Sequence, residues 1–256
     1  MKDENGVWES LLAVRHRGGA APVPRSEDGV ALLALYLPFA QLPRGRGFAV
    51  AHLGQSLDGR IATAAGASRW VTGEADLTHT HRMRALADAI LVGAGTVRHD
   101  DPQLTVRRCG GKHPVRVIID SERRLGAQYR VFQDGAAPTL VLAYTDRVAP
   151  GERLGQAEIL GLPRRPGGLA PGEIRAALAE RGLHFLFIEG GGITISHFLA
   201  AGALDRLQIA VAPIILGSGK PGLTLPEIRE PCQGLRPRLR RFDLGADTLY
   251  ECVLHD

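Results

Sequence analysis

Between residues 54 and 107 the chain concentrates hydroxyl, carboxylate, guanidinium and indole groups in "GQSLDGRIATAAGASRWVTG" and, one helical segment later, "AILVGAGTVRHDDPQLTVR". Ser56, Asp58, Ser68, Trp70, Arg84, Thr96, Asp100 and Arg107 fall at turns and element ends, where a scaffold presents polar groups to a ligand. Arg84 and Arg107 have the chemistry to hold a phosphate, since a planar guanidinium donates paired, charge-assisted hydrogen bonds. Each also has a plainer reading. Arg84 on a helix serves as a solvated face residue, Asp100 and Asp101 before Pro102 initiate a turn, and Asp58 is either a catalytic carboxylate or the anchor of an "LDG" turn.

Two strand-to-helix junctions are rich in glycine: "ILVGAGTV" at 90–97 and "LFIEGGGITIS" at 186–196. Glycine lets the backbone approach a diphosphate, and the free N–H groups of a helix start complement its charge. Neither junction completes the Rossmann pattern, because Arg98 stands where the third glycine belongs and Gly190, Gly191 and Gly192 lack the spacing. Likewise "GSGKPG" at 217–222 is a glycine-rich loop rather than a P-loop, because Pro221 follows Lys220. At the end of "VRVIID", Ser121, Arg123 and Arg124 form either a seat for a ribose 2′-phosphate, favouring NADP over NAD, or an exposed basic turn. Glu189 closes the apolar run "HFLFIE", where its carboxylate either accepts from amino or hydroxyl groups of a ligand or binds neighbouring backbone.

The elements that must position these groups alternate from Phe48 onward. Short apolar runs predict strands at "FAVAHLG", "AILVG", "VRVIID", "TLVLAY", "AEILGL", "HFLFIEG", "LQIAVAPIIL" and "TLYECVL". Helices fit "GEADLTHTHRMRALA", "GEIRAALAERG" and "GITISHFLAAG", the last two closing on glycine. The alternation predicts an α/β domain with a mostly parallel sheet over residues 47–256. Residues 1–46, with a short helix at "VWESLLAVR" and an apolar "VALLALYLPFAQL", read as an N-terminal extension docked on a neighbouring surface. His79 and His81 are expected on the helix surface. At i and i+2 they share no face, which argues against a metal pair.

A net charge of +4 comes from arginines dispersed along the chain, which favours solubility and an anionic small molecule over nucleic acid. The arginine-rich "LRPRLRRF" at 235–242 is the one stretch that leaves a nucleic-acid reading open, against an edge strand decorated with charge. Cys109, Cys232 and Cys252 show neither a C-x-x-C pair nor zinc-ligand spacing, so no metal site is expected. The polar, acidic start lacks the pattern of a signal peptide, and no apolar run is long enough to span a bilayer. A cytoplasmic protein without membrane contact is expected.

As a set, "SLDGRIA", "SRWVT", "ADAILVGAGTVRHDDPQLTVR", "PVRVIIDS", "FIEGGGITISHFL" and "LDRLQIAVAPIILG" resemble the reductase domain of riboflavin biosynthesis, the diaminopyrimidine ribosylphosphate reductases. The resemblance runs from about Phe48 to the C-terminus. It implies a dihydrofolate-reductase-like three-layer α/β fold with a central mixed, mostly parallel sheet flanked by helices, and NADPH reduction of a ribosyl group to ribityl. It also implies cofactor contacts at Gly54, Trp70, Thr96, Asp100, Ser121 and the loop Gly191, Gly192, Ile193, Thr194, Ile195, Ser196 and His197. Substrate contacts would fall at Ser68, Arg84, Leu104, Arg107 and Glu189, with Glu189, His52 and Asp58 as candidate catalytic groups. A small phosphorylated substrate and a homodimer are implied as well. His52 departs from the lysine common in that family and leaves the pyrimidine open: it is either a substrate-site residue or a sheet histidine satisfied by a neighbour. Deaminase motifs of the H-x-E and P-C-x-x-C kind are missing, so the expectation is a stand-alone reductase. A reductase of another heterocycle such as a dihydropterin, or a silent NADP-binding module, are the competing readings.

Overall fold

In the computed structural model, which describes residues 2–255, the chain opens with two helices, α1 (Lys2–Arg17) and α2 (Glu27–Ala40). Then follow β1 (Phe48–Ser56), β2 (Arg60–Thr63), α3 (Glu74–Leu86), β3 (Ala89–Gly93), α4 (Ala94–Asp100) and β4 (Val115–Ile119). The middle holds α5 (Arg130–Gln133), β5 (Thr139–Tyr144), β6 (Arg153–Leu154), β7 (Ala157–Leu162), α6 (Pro171–Ala179) and β8 (Phe185–Glu189). The chain ends in α7 (Gly192–Ala200), β9 (Arg206–Ala212), β10 (Gly219–Pro221), β11 (Arg238–Leu244) and β12 (Asp247–Val253).

Ten strands form one sheet in the order β11-β12-β9-β1-β8-β3-β4-β5-β7-β6, while β2 and β10 pair apart from it. The stretch from β9 to β7 is parallel throughout, and the hairpin partners β11, β12 and β6 run antiparallel. Continuous apolar runs such as "FAVAHL" belong in a sheet covered on both faces, and the side chains of β1 and β8 do alternate between two cores. Val50, Phe185 and Phe187 face the layer of α1 to α5, while Ala49, Ala51, Leu186 and Ile188 face α6 and α7. The expected three-layer α/β architecture is therefore present.

Differences from the sequence reading are local. The strand expected over "LQIAVAPIIL" stops at Ala212, because the backbone of residues 214–217 turns to bond Leu57 and Asp58. The "LRPRLRRF" stretch supplies the outermost strand β11, antiparallel to β12. Residues of α1 and α2, including Trp8, Leu11, Tyr36 and Phe39, belong to the same apolar cluster as β1 and β8.

What matters for a ligand is the direction of the strands. β1, β3, β4, β5 and β8 all point their C-terminal ends to one edge, and β8 inserts between β1 and β3, where chain connections leave in different directions. Open α/β sheets bind small molecules at such an edge.

Candidate active site

Arg84 sits in the last turn of α3, 8% exposed, and meets Glu189 at the end of β8. The pairing is a two-pronged fork: Nε to Oε1 at 2.6 Å and Nη2 to Oε2 at 2.5 Å, with Nη1 donating to the Thr105 carbonyl at 3.0 Å. Arg107 lies beside it on the irregular segment after α4. Its Nη1 donates to Thr105 Oγ1 at 2.6 Å, and its backbone N–H donates to His81 Nδ1 at 2.8 Å. Arg108 pairs with Glu74, whereas Arg107 is exposed and has no carboxylate partner among the described residues. Burial and the neighbouring Arg84 and Arg108 lower the Arg107 pKa from its ordinary value. Burial and the arginines Arg84, Arg107 and Arg108 push His81 down to about 3, so its Nδ1 stays an acceptor. An exposed cation beside a satisfied one is a seat for an anion.

His52 lies in register opposite Glu189 on β8 and Gln208 on β9. Its Nε2 is 3.1 Å from Asp76 Oδ1, with side-chain exposure of 5% for each. That contact is an ion pair off the hydrogen-bonding direction, so neither ring nitrogen of His52 has a hydrogen-bond partner. Burial alone would lower the His52 pKa, but the Asp76 carboxylate outweighs it and raises it. On the same strand, a Cβ at Gly54 would lie 2.6 Å from Thr72 Cγ2 and 3.3 Å from Asp76 Oδ2. Glycine there lets the segment 64–73 lie against β1.

The two glycine-rich junctions meet. A Cβ on Gly93 would stand 2.7 Å from Thr194 Oγ1, so the β3–α4 turn and the first turn of α7 pack directly together. Gly95 and Gly191 face open space, where packing asks for no glycine. The N–H groups of Gly192 and Ile193 open α7 ahead of its first bond, which Thr194 N makes to the Gly191 carbonyl at 3.1 Å, and Ile193 is 87% exposed. Thr96 is half-buried in α4, Asp100 is exposed at its end, and Ser121 is half-buried at the end of β4. Of the basic pair beyond Ser121, Arg123 is held by Glu152 at 2.9 Å while Arg124 is exposed.

Other expected site residues are placed differently from one another. Trp70 is 72% exposed with φ 67, a left-handed conformation costly for a bulky residue, and Ser68 is exposed on the same segment. Leu104, with φ 55, is 2% exposed, and Ile195 is fully buried, so each offers a ligand its backbone rather than its side chain. Ser196 is buried and accepts from Thr224 N at 2.8 Å; His197 is half-buried near Gly168. Asp58 holds a turn: it accepts from Ser56 Oγ at 2.6 Å, Gly217 N at 2.7 Å and Leu216 N at 3.0 Å. The Ser56 hydroxyl and these N–H groups hold its pKa at about 2, which leaves it without a proton to give.

His79 and His81 correct the sequence expectation: they are 1% and 5% exposed rather than on the helix surface. The reason is that α3 is covered on two sides. His79 bonds Tyr36 Oη at 2.8 Å and Gln208 Oε1 at 2.9 Å between α2 and the sheet, while the segment bearing Arg107 lies over His81. Sequence reasoning missed Asp76, Thr105 and His81. A polar residue at every turn of a helix predicted to be amphipathic was the signal available for the first and last.

A mostly parallel open sheet with Glu189, Arg84 and Arg107 gathered at the C-terminal end of β8 is the layout in which open α/β domains bind small molecules. Residues 48–244 match the RibD C-terminal domain family, and the chain belongs to it. It is 36% identical over 220 residues to the 2,5-diamino-6-ribosylamino-4(3H)-pyrimidinone 5′-phosphate reductase of Methanothermobacter thermautotrophicus, covering 80% of this chain and 97% of that one. Its identity to the riboflavin biosynthesis protein RibD of Bacillus amyloliquefaciens is 38% over 164 residues, covering 63% of this chain and 44% of that protein's length. Among solved structures, a diaminohydroxyphosphoribosylaminopyrimidine deaminase/5-amino-6-(5-phosphoribosylamino)uracil reductase from Thermotoga maritima superposes with a TM-score of 0.69 at 27% identity. That match covers 89% of this chain and 61% of the other.

Proposed function

We propose that the chain is an NADPH-dependent reductase of a pyrimidine ribosylamino 5′-phosphate in riboflavin biosynthesis. The observation that carries this reading is the arrangement around β8: Glu189 forked to Arg84, Arg107 exposed beside them, and the two glycine junctions meeting next to it. Arg107 takes the substrate phosphate. Glu189 is fixed by Arg84 so that a carboxylate edge faces the amino groups or ribose hydroxyls of the bound sugar. Anchoring the phosphate away from the reacting carbon supplies binding energy for alignment, which contributes much of the catalysis of such a transfer.

The residues present fit a dinucleotide. The open space at Gly95 and Gly191 and the free N–H groups opening α7 suit a diphosphate, with Thr96 and Thr194 at hand to donate hydroxyl hydrogen bonds. Ser121 and Arg124 lie at the end of β4, where a 2′-phosphate would be recognised, and Trp70 offers an exposed ring to stack on. When bound, NADPH supplies a hydride.

The test is initial-rate NADPH oxidation with 2,5-diamino-6-ribosylamino-4(3H)-pyrimidinone 5′-phosphate, with 5-amino-6-(5-phosphoribosylamino)uracil and with a dihydropterin. Turnover of one of the first two is expected. Turnover of the pterin alone, or NADPH binding with no turnover of any, would overturn the proposal.

A further inference from the structure

A histidine inside a parallel strand covered on both faces needs an explanation for its polar atoms, and β1 does not provide one. His52 is 6% exposed, and neither Nδ1 nor Nε2 makes a hydrogen bond within the described residues. Leaving a buried donor unpaired is costly, and a ligand atom removes that cost.

The groups around the ring narrow its role. From α3, Asp76 is in ion-pair contact, His79 has its ring centroid 5.1 Å away, and Arg84 is near enough to repel. From β8 come Phe187, with a centroid separation of 6.2 Å, and Glu189; from β9 comes Gln208. His79 has both nitrogens taken, by Tyr36 and Gln208, and burial, with the charge of His52 beside it, holds its pKa at about 3, so it stays neutral. Glu189 is forked to Arg84 rather than in contact with the ring. Behind this layer Gln208 donates to Glu251 at 3.2 Å, which is paired with Arg240, and Asp247 of β12 accepts from Gly73 N at 2.6 Å. Asp76 is the carboxylate in ion-pair contact with His52, and Glu189 adds a smaller attraction of the same sign. Asp76 lies in the first turn of α3, where the helix dipole also favours an anion.

We propose that Asp76 is a positioning residue for the reduction: its carboxylate holds a His52 imidazolium by Nε2, and the unpartnered Nδ1–H is the proton donor to the sugar. The inference rests on the reading given under Proposed function. In a ribosylamino substrate the amine lone pair forms a C1′=N bond as the C1′–O4′ bond breaks, and the O4′ electron pair takes the proton from Nδ1. The hydride then adds to C1′ and returns the π pair to nitrogen. One proton and one hydride are consumed, and His52 is left neutral until solvent reprotonates it. Substrate reaches Nδ1 by displacing the segment 64–73, which is neither helix nor strand and rests on Gly54 through Thr72.

The sign of the pH dependence follows. Protonated His52 is the active form, so kcat/KM falls as pH rises through its raised pKa. Removing the carboxylate in Asp76→Asn leaves burial unopposed, and the falling limb moves to lower pH. His52→Gln removes the titrating donor, so kcat falls and the limb is lost. Nitrogen-detected NMR titration of His52 in the ligand-free wild type and in Asp76→Asn provides a readout independent of turnover. A downward shift of the His52 midpoint together with the same shift in the kinetic limb supports the proposal. A folded Asp76→Asn protein in which neither midpoint moves overturns it, as does an NMR shift with the kinetic limb unmoved. Should the wild type turn over neither pyrimidine substrate, the functional reading fails on its own, and the NMR arm still reports whether Asp76 charges His52.

Discussion

At the scale of single residues, the charges around β8 differ in how fully they are paired. Arg84 is satisfied by Glu189 and the Thr105 carbonyl, while Arg107 holds only Thr105 and offers the rest of its guanidinium to solvent. Arg107→Ala is therefore expected to raise KM for the phosphorylated substrate about 10- to 100-fold, the worth of one or two charge-assisted hydrogen bonds, and to leave the NADPH dissociation constant unchanged. Steady-state kinetics with fluorescence titration of NADPH check this, and equal loss of both affinities would place Arg107 elsewhere. The sequence singled out Arg84, Arg107, Glu189 and His52 by type, and the structure forks Arg84 to Glu189, sets Arg107 beside them and buries His52 on β1 in register with Glu189. Their partners were not legible. Asp76 reaches His52, and His81 reaches Arg107, across contacts between segments far apart in the chain, and no local pattern encodes which carboxylate faces which cation.

Elements bring the strand ends to one edge by being parallel. Once β8 inserts between β1 and β3, the turns after β3 and β8 become neighbours, and glycine is what lets them touch. The inner strands were readable because their apolar runs are buried on both faces, whereas α2 showed only as an apolar stretch and β2, β6 and β10, two to four residues long, leave no periodicity to read. Gly192 illustrates a constraint that only the packed elements reveal. A Cβ there would press well inside van der Waals contact of the Gly222 carbonyl, which is backbone and cannot swing aside. Gly192→Ala should destabilise the protein by about 1–3 kcal/mol, the usual cost of overpacking, and weaken NADPH binding by disturbing the start of α7. Urea denaturation and NADPH titration of the variant measure both effects, and an unchanged denaturation midpoint would show that the loop at residues 217–222 gives way easily.

For the molecule as a whole, the question is whether α1 and α2 form a separable extension or part of one cooperative unit. Their side chains reach deep. Trp8 Nε1 donates to the Gly110 carbonyl at 2.9 Å, on the segment that follows Arg107. Arg15 bonds the Leu86 carbonyl and Asp88, each at 2.9 Å, and Asp88 in turn accepts from His184 N at 3.0 Å and Phe185 N at 2.8 Å at the start of β8. Tyr36 ties α2 to His79 on α3. Helices that shared no core with the sheet would unfold first; these share the apolar cluster of Phe48, Phe185 and Phe187 and brace the helix that presents Arg84. The two tryptophans make a direct measurement possible, since Trp8 is buried in α1 and Trp70 is exposed. In Trp70→Phe the fluorescence reports Trp8 alone. Its urea transition should coincide with loss of far-UV circular dichroism from the whole chain, the signature of a single two-state unit. A Trp8 transition at lower urea, with the remaining dichroism intact, would make residues 1–46 a detachable extension and free the site from any dependence on them.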